Sequence, residues 1–258
     1  MNIELKNIVI INTVPINGGD EALLNATIMG LNDYFSNPSI SVLTNNPLLC
    51  REYLNYVKLD WDWEYAFMLA DLDENQFISK IKNRIRYILK KKLKVSYYSS
   101  ISRFFSSIRE KRVYKILNDA DIVILGAGGY IHDFYGYDKR LQTLEFIDKE
   151  LKKPYVFFSQ SIGPFWEVKN YPRLINAFDN AYKIILREDY SLNHLKNLDY
   201  HCKNVCVSND IAFYLHNKYS IKVDFNKKLR KLQLISENGD LRKKVKIIMI
   251  KQKYYVNI

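Results

Sequence analysis

Five apolar runs in this chain each stop at a short polar or glycine-rich segment, always on their carboxyl side. Ile8–Val14 leads into Pro15-Ile16-Asn17-Gly18-Gly19-Asp20, and Asp121–Leu125 leads into Gly126-Ala127-Gly128-Gly129. Tyr155–Ser159 leads into Gln160-Ser161-Ile162-Gly163-Pro164. Lys183–Leu186 meets Arg187-Glu188-Asp189-Tyr190-Ser191, and Val205–Val207 meets Ser208-Asn209-Asp210. Short runs rich in Val and Ile suit strands buried on both faces. Ile40–Leu43 adds another short strand, while Glu21–Phe35, Leu48–Val57, Tyr137–Leu151, Tyr171–Ala181 and Tyr190–Leu198 carry helical spacing. Alternation of this kind predicts βαβ units, hence a Rossmann-like α/β fold with a parallel sheet flanked by helices. Ligands of such sheets bind outside the carboxyl ends of the strands, so the punctuation marks a site as well as a fold.

The rhythm breaks between Asp71 and Leu117. The expected organisation is one α/β domain over 1–217 with a basic helical insertion at about 71–117, then a basic tail over 218–258 that opens a second domain. The formal net charge is +11, and it is concentrated. Thirteen Lys/Arg stand against Glu110 alone between Ile78 and Lys115, and eleven stand against three acids from Lys222 onward. Ile78, Ile81, Ile85, Ile88 and Leu89 fall at helical spacing with the cations on the other faces. Residues 78–115 therefore read as a solvated insertion or as a basic amphipathic face on an anionic membrane. Nucleic acid is the weakest partner, because Lys/Arg density comes here without a recognised binding module. The first residues lack the pattern of a signal peptide, and no apolar stretch approaches a membrane span. Cys50, Cys202 and Cys206 fit neither a disulfide framework nor a zinc spacing, even with His201 adjacent. A reduced, cytoplasmic protein is expected.

The punctuating segments carry the candidate chemistry. Asn17-Gly18-Gly19-Asp20 joins a strand to a helix, where glycines let backbone N–H groups approach a phosphate or carboxylate. Asp20 caps the helix, acts as a base, or orients a sugar hydroxyl. Gly126-Ala127-Gly128-Gly129 is not the dinucleotide fingerprint, and its plain reading is a tight turn. His132, just beyond it, is a candidate acid or base. Gln160 and Gly163 end another strand. Arg187, closing Ile184-Ile185-Leu186, either holds an anion with its planar fork or pairs locally with Glu188 or Asp189. Ser191 supports the same anion or simply starts the next helix.

Taken in order, five segments resemble the polysaccharide pyruvyl transferase family. They are Asn17–Leu24, Gly126–Gly129, Ser159–Pro164, Leu186–Ser191 and Asn209–Phe213. The resemblance implies the amino-terminal half of a two-domain GT-B-like fold. It further implies transfer of a pyruvyl group from phosphoenolpyruvate to two sugar hydroxyls, forming a cyclic ketal on a glycan or lipid-linked glycan. Phosphoenolpyruvate is then the donor substrate, with no cofactor and no metal. Arg187 matches the family's donor-binding arginine, and Asn17, Gly18, Gly19, Gly128, Gly129, Gln160, Gly163 and Ser191 become substrate-binding candidates beside the catalytic candidates Asp20 and His132. The family places a further arginine–histidine element in a second domain, whereas no histidine follows His216 here. The chain is thus expected to be an amino-terminal domain with a stub: truncated, split or decayed. Two alternatives remain open, a GT-B-like glycosyltransferase using a nucleotide-sugar and a non-catalytic domain that binds a partner or membrane.

Overall fold

The computed structural model describes residues 5–51, 54–63, 106–167 and 171–219, with positions 66, 81, 84, 85 and 88. Strands β1 (Asn7–Thr13), β2 (Ser39–Thr44), β3 (Lys58–Trp61), β4 (Ile122–Leu125), β5 (Gly128–Ile131), β6 (Tyr155–Ile162), β7 (Lys183–Leu186) and β8 (Val205–Val207) form one sheet. Its order is β3-β2-β1-β4-β6-β7-β8, and every pairing in it is parallel. The helices are α1 (Gly18–Tyr34), α2 (Pro47–Cys50), α3 (Ile108–Asn118), α4 (Asp138–Lys149), α5 (Tyr171–Asp179), α6 (Asp189–Lys196) and α7 (Ala212–Tyr219).

Alternation along β1 divides the core. Ile8 and Ile10 point to one face, where they pack with Leu24 and Ile28 of α1 and with Ile40, Val42 and Ile124. Val9 and Ile11 point to the other, with Val113 and Leu117 of α3, Leu141 and Leu144 of α4, Leu174 of α5 and Leu195 of α6. Both faces are covered, so the strands read as continuous apolar runs. Each large apolar side chain buried this way contributes about 1.5–3 kcal/mol.

The chain leaves β1 toward β2 and β3, then returns to β4 on the other side of β1. The carboxyl ends of β1 and β4 therefore flank the topological switch point, the crevice where open parallel sheets hold ligands.

Several sequence expectations change. Lys58–Trp61 is a strand with no apolar run to announce it. The buried Asp60 within it is held by Arg112 from α3, whose Nη2 donates to Oδ1 at 2.8 Å. The helix expected over Leu48–Val57 is a single turn ending at Cys50. Gly126-Ala127-Gly128-Gly129 is not a terminal turn. β5 pairs with β6 in the register set by β4, Leu125 opposite Phe157 and Gly128 opposite Gln160, so the strand bends and continues. β6 likewise runs on to Ile162 and contains Gln160 and Ser161.

Of the basic stretch at 71–117, positions 81, 84, 85 and 88 are helical and the remainder up to 105 lies outside the described residues. Its last part is α3, the crossover helix into β4. Val113 and Leu117 are fully buried, and Ser107 with Glu110 forms a reciprocal capping box at its start. Arg109 lies over the Trp61 ring, 4.9 Å from its centroid, so cations in this stretch also serve the fold. No helix among the described residues is long and apolar enough to cross a membrane. The basic tail from 220 onward lies outside the described residues.

Candidate functional site

Two clusters sit at the carboxyl ends of the strands, on opposite sides of β5. Gly129 and Tyr130 are neighbours in that strand, so they face opposite ways. A Cβ placed on Gly129 would lie 3.5 Å from Ser161 and 4.0 Å from Nη2 of Arg187. On the other side, the Tyr130 ring lies under Arg140, whose Cζ is 5.6 Å from the ring centroid.

The first cluster is a closed polar node built around Arg187. Its Nε donates to Ser161 Oγ at 2.6 Å and lies 3.3 Å from Glu188 Oε2, while Nη1 donates to Asp210 Oδ2 at 2.8 Å. Asp210 is itself oriented by accepting from the Ala212 N–H through Oδ1 at 2.9 Å. Ser159 Oγ accepts from the Ile211 N–H at 3.0 Å. Four of the five segments that carry the family resemblance meet here. The local ion pair expected as an alternative for Arg187 is present, with Glu188 rather than Asp189, and Asp210 adds a second carboxylate. The third nitrogen, Nη2, makes no hydrogen bond among the described residues and faces Gly129.

Four predicted site residues in this region are engaged by the fold. Ser191 is 1% exposed, and its hydroxyl donates to Glu188 Oε1 and accepts from the Ile162 N–H at 2.8 Å. The hydroxyl's proton and one of its two lone pairs are thus committed to the fold. Gln160 is fully buried, and its Nε2 donates to the carbonyl of Gly126 at the bend between β4 and β5. Gly163, at φ +82°, has no room for a side chain: a Cβ would sit 2.6 Å from the His194 ring. The close approach that requires glycine there comes from a histidine, not from a ligand. Gly128, at φ +144°, is buried as well, and its missing Cβ makes space for the Tyr130 ring.

The second cluster surrounds a cavity of about 410 Å³ at the switch point. Asn12 and Thr13 at the end of β1, Asn45 after β2, Asp62 after β3, and Lys139 and Arg140 in the first turn of α4 line it. Arg140 Nε donates to Asn12 Oδ1 at 2.6 Å, and Nη1 donates to the Gly136 carbonyl at 3.0 Å. Arginine only donates, so the oxygen of Asn12 must face it and the amide nitrogen must face away. That Nδ2 and the Thr13 hydroxyl are both buried without a partner among the described residues. Asn12 also holds a left-handed φ of +58°, at the point where the register of β1 against β2 shifts.

Asn17, not Asp20, is the N-cap of α1. Its Oδ1 accepts from the Asp20 N–H at 2.9 Å, while its Nδ2 donates to Asp20 Oδ2 at 2.5 Å. Gly18 and Gly19 are exposed at the first positions of the helix, where N–H groups have no intrahelical partner. Tyr130 stands beside Asp20: its hydroxyl meets no partner at good hydrogen-bond geometry, yet burial and then the carboxylate raise its pKa well above the ordinary phenol range. His132 follows β5, with Nδ1 accepting from the Phe134 N–H at 3.1 Å. Burial lowers its pKa, opposed by the Gly129 backbone and Asp133 and reinforced by the charge of Arg140. Its ring packs 4.5 Å from that of Tyr135, which also lines the cavity. Asp20 and His132 thus flank the second cluster.

Sequence reasoning missed Asn12, Tyr130 and Arg140. The usable signal was Asn12-Thr13, a polar pair inside an apolar run; Arg140 carried none, since a cation in the first turn of an amphipathic helix reads as a solvated face.

A doubly wound, Rossmann-like sheet with its polar clusters at the strand carboxyl ends defines the class of this protein. The family model for polysaccharide pyruvyl transferase matches residues 17–255. The chain belongs to that family. No curated protein matches it significantly. A crystal structure of an uncharacterized protein from Klebsiella pneumoniae subsp. pneumoniae NTUH-K2044 is similar at 17% identity with a TM-score of 0.39. That likeness covers 84% of this chain and 55% of that one, so this chain spans about half the length of the matched structure.

Proposed function

We propose that the protein takes part in transfer of a pyruvyl group from phosphoenolpyruvate to two hydroxyls of one sugar in a cell-surface polysaccharide, with Arg187 holding the donor anion. The carrying observation is the node around Arg187. Asp210, Glu188 and Ser161 fix its guanidinium and leave Nη2 directed at Gly129, where no side chain blocks an approaching oxyanion. A planar donor fork that is already oriented loses little freedom when it binds a carboxylate or phosphate.

The reaction needs no redox partner. The enol carbon gains a proton and the adjacent carbon takes the first hydroxyl oxygen. The second hydroxyl oxygen then displaces phosphate and closes the ketal. Two C–O bonds to sugar form and the C–O bond to phosphate breaks. Of the two hydroxyl protons, one is balanced by the new methyl group and one leaves with phosphate. In this reading Asp20 takes a proton from an acceptor hydroxyl, and neutral His132 gives or receives one. The acceptor is a glycan or lipid-linked glycan, and the exposed N–H groups at Gly18 and Gly19 suit a carboxylate on its sugars. Contact of 78–115 with an anionic membrane would bring the enzyme to such an acceptor on its cytoplasmic face.

The test uses phosphoenolpyruvate labelled in its pyruvyl carbons, incubated with the protein and candidate glycans. Label in an acid-labile product, with one phosphate released per label, is expected. Hydrolysis of a nucleotide-sugar, with the label left in phosphoenolpyruvate, would replace this reading by the glycosyltransferase one.

A further inference from the structure

The two arginines that flank β5 differ in one respect that the proposed chemistry has not used. Arg187 has two carboxylate partners, whereas Arg140 makes no ion pair among the described residues. Its partners are an amide oxygen and a backbone carbonyl, and both are neutral. An arginine at a cavity wall with only neutral partners keeps its full charge for whatever enters. Around it are further donors. Asn12 is 8% exposed and Thr13 is 5% exposed; both line the cavity, and each holds a buried polar atom with no partner. Asn12 holds its left-handed backbone in the same place. Unpaired buried donors and unfavourable backbone geometry at one spot are costs that concentrate where a ligand supplies the missing partner.

From this geometry we infer that the cavity between the ends of β1 and β4 is a second anion site, which takes the oxyanion of a phosphate ester. Arg140 supplies the charge, with Asn12 and Thr13 as the neighbouring donors. The acidic wall does not oppose this. Asp138 is held by Arg173 and by Gln142 Nε2 at 2.8 Å, and Asp62 lies farther along the rim, after β3. Asn45 and Asp62, beyond β2 and β3, suit the hydroxyls of a sugar attached to that phosphate. On the reading of Arg187 as donor site, the ligand is the acceptor presented as a glycosyl phosphate. The site itself stands without that reading; only the choice of ester rests on it.

Calorimetric titration of the full chain distinguishes the sources. The probes are inorganic phosphate, glucose 1-phosphate, glucose and phosphoenolpyruvate, each tested against the native chain, Arg140→Gln and Tyr135→Glu. Tyr135 is an exposed cavity-lining residue, so that variant adds negative charge at the rim without disturbing the core. Glucose 1-phosphate is expected to bind at least tenfold more tightly than glucose. Arg140→Gln should lose that advantage, and Tyr135→Glu should weaken it at least threefold. If Arg140→Gln does not fold, the Tyr135→Glu result alone decides. Phosphoenolpyruvate binding that depends on Arg140, without glucose 1-phosphate binding, keeps the anion site and assigns it to the donor. Unchanged affinities in both variants, or no saturable binding of any phosphate, would overturn the site. Failure of labelled pyruvyl transfer with phosphate binding intact would instead remove the donor reading and leave this site standing.

Discussion

The regions on the two sides of β5 are built by opposite rules. Around Arg187 the side chains of Ser161, Glu188, Ser191 and Asp210 all have partners. Ser191, Ser161, Glu188 and Asp210 close a network that ties β6 to the loops after β7 and β8. Around Arg140 the polar groups outnumber their partners. Asn12 and Thr13 keep buried atoms unpaired, and the guanidinium carries its charge into a cavity. The first region orients a functional group and adds stability while doing so. The second lowers stability and holds its groups in readiness. Proximity to strand ends is common to both, so it is the state of satisfaction, rather than position, that separates a framework residue from one awaiting a ligand.

Substitutions on the two sides should therefore move stability in opposite directions. The largest effect belongs to Gly163→Ala on the closed side. The left-handed backbone and the contact with His194 together should cost about 2–4 kcal/mol, measured by denaturant unfolding. Ser191→Ala should cost about 1–3 kcal/mol, because it leaves the Ile162 N–H and a Glu188 oxygen without partners. Arg187→Ala should cost about 1 kcal/mol through its partly exposed carboxylate neighbours, so the rim position is not structurally silent. Thr13→Val reverses the sign. It replaces an unpaired buried hydroxyl with a methyl of similar shape and should be neutral or stabilising by up to about 1 kcal/mol. A Thr13→Val loss as large as that of Ser191→Ala would erase the contrast.

A pH series sharpens the comparison with one histidine on each side. Burial lowers the pKa of both His132 and His194 from 6.5. Below that value the unfolded chain binds protons that the folded chain refuses, so stability is fully present above about pH 6.5 and falls as the pH drops through it. Unfolding midpoints at pH 7.5 and 5.5 should differ in that sense. His132→Gln and His194→Gln should each flatten part of the slope; a slope unchanged in both would remove the histidines as its origin.

Much of the fold was legible in the sequence because its central strands are buried on both faces and show as apolar runs. β3 was not, since Lys58-Leu59-Asp60-Trp61 is an edge strand whose buried charge is balanced by Arg112, far away in the chain. β5 was hidden for another reason: Gly128-Gly129-Tyr130-Ile131 reads as punctuation, and only its register against β6 shows a bent strand. The Arg187 node was half legible. Its segments were all marked, but Ser191 and Gln160 looked like ligand groups because a sequence gives a hydroxyl or amide without its partner. The Arg140 cavity was nearly invisible, as it joins Asn12 to Arg140 across 128 positions and depends on the switch point between β1 and β4.

The central claim is a division of labour, with the donor anion on the Arg187 side of β5 and a phosphate ester on the Arg140 side. It is tested most directly by titrating phosphoenolpyruvate and glucose 1-phosphate into Arg187→Gln and Arg140→Gln of the full chain. Arg187→Gln should weaken phosphoenolpyruvate at least tenfold and leave glucose 1-phosphate within about twofold, and Arg140→Gln should do the reverse. Equal loss of both ligands in both variants would contradict it, for the two sides would then be one site.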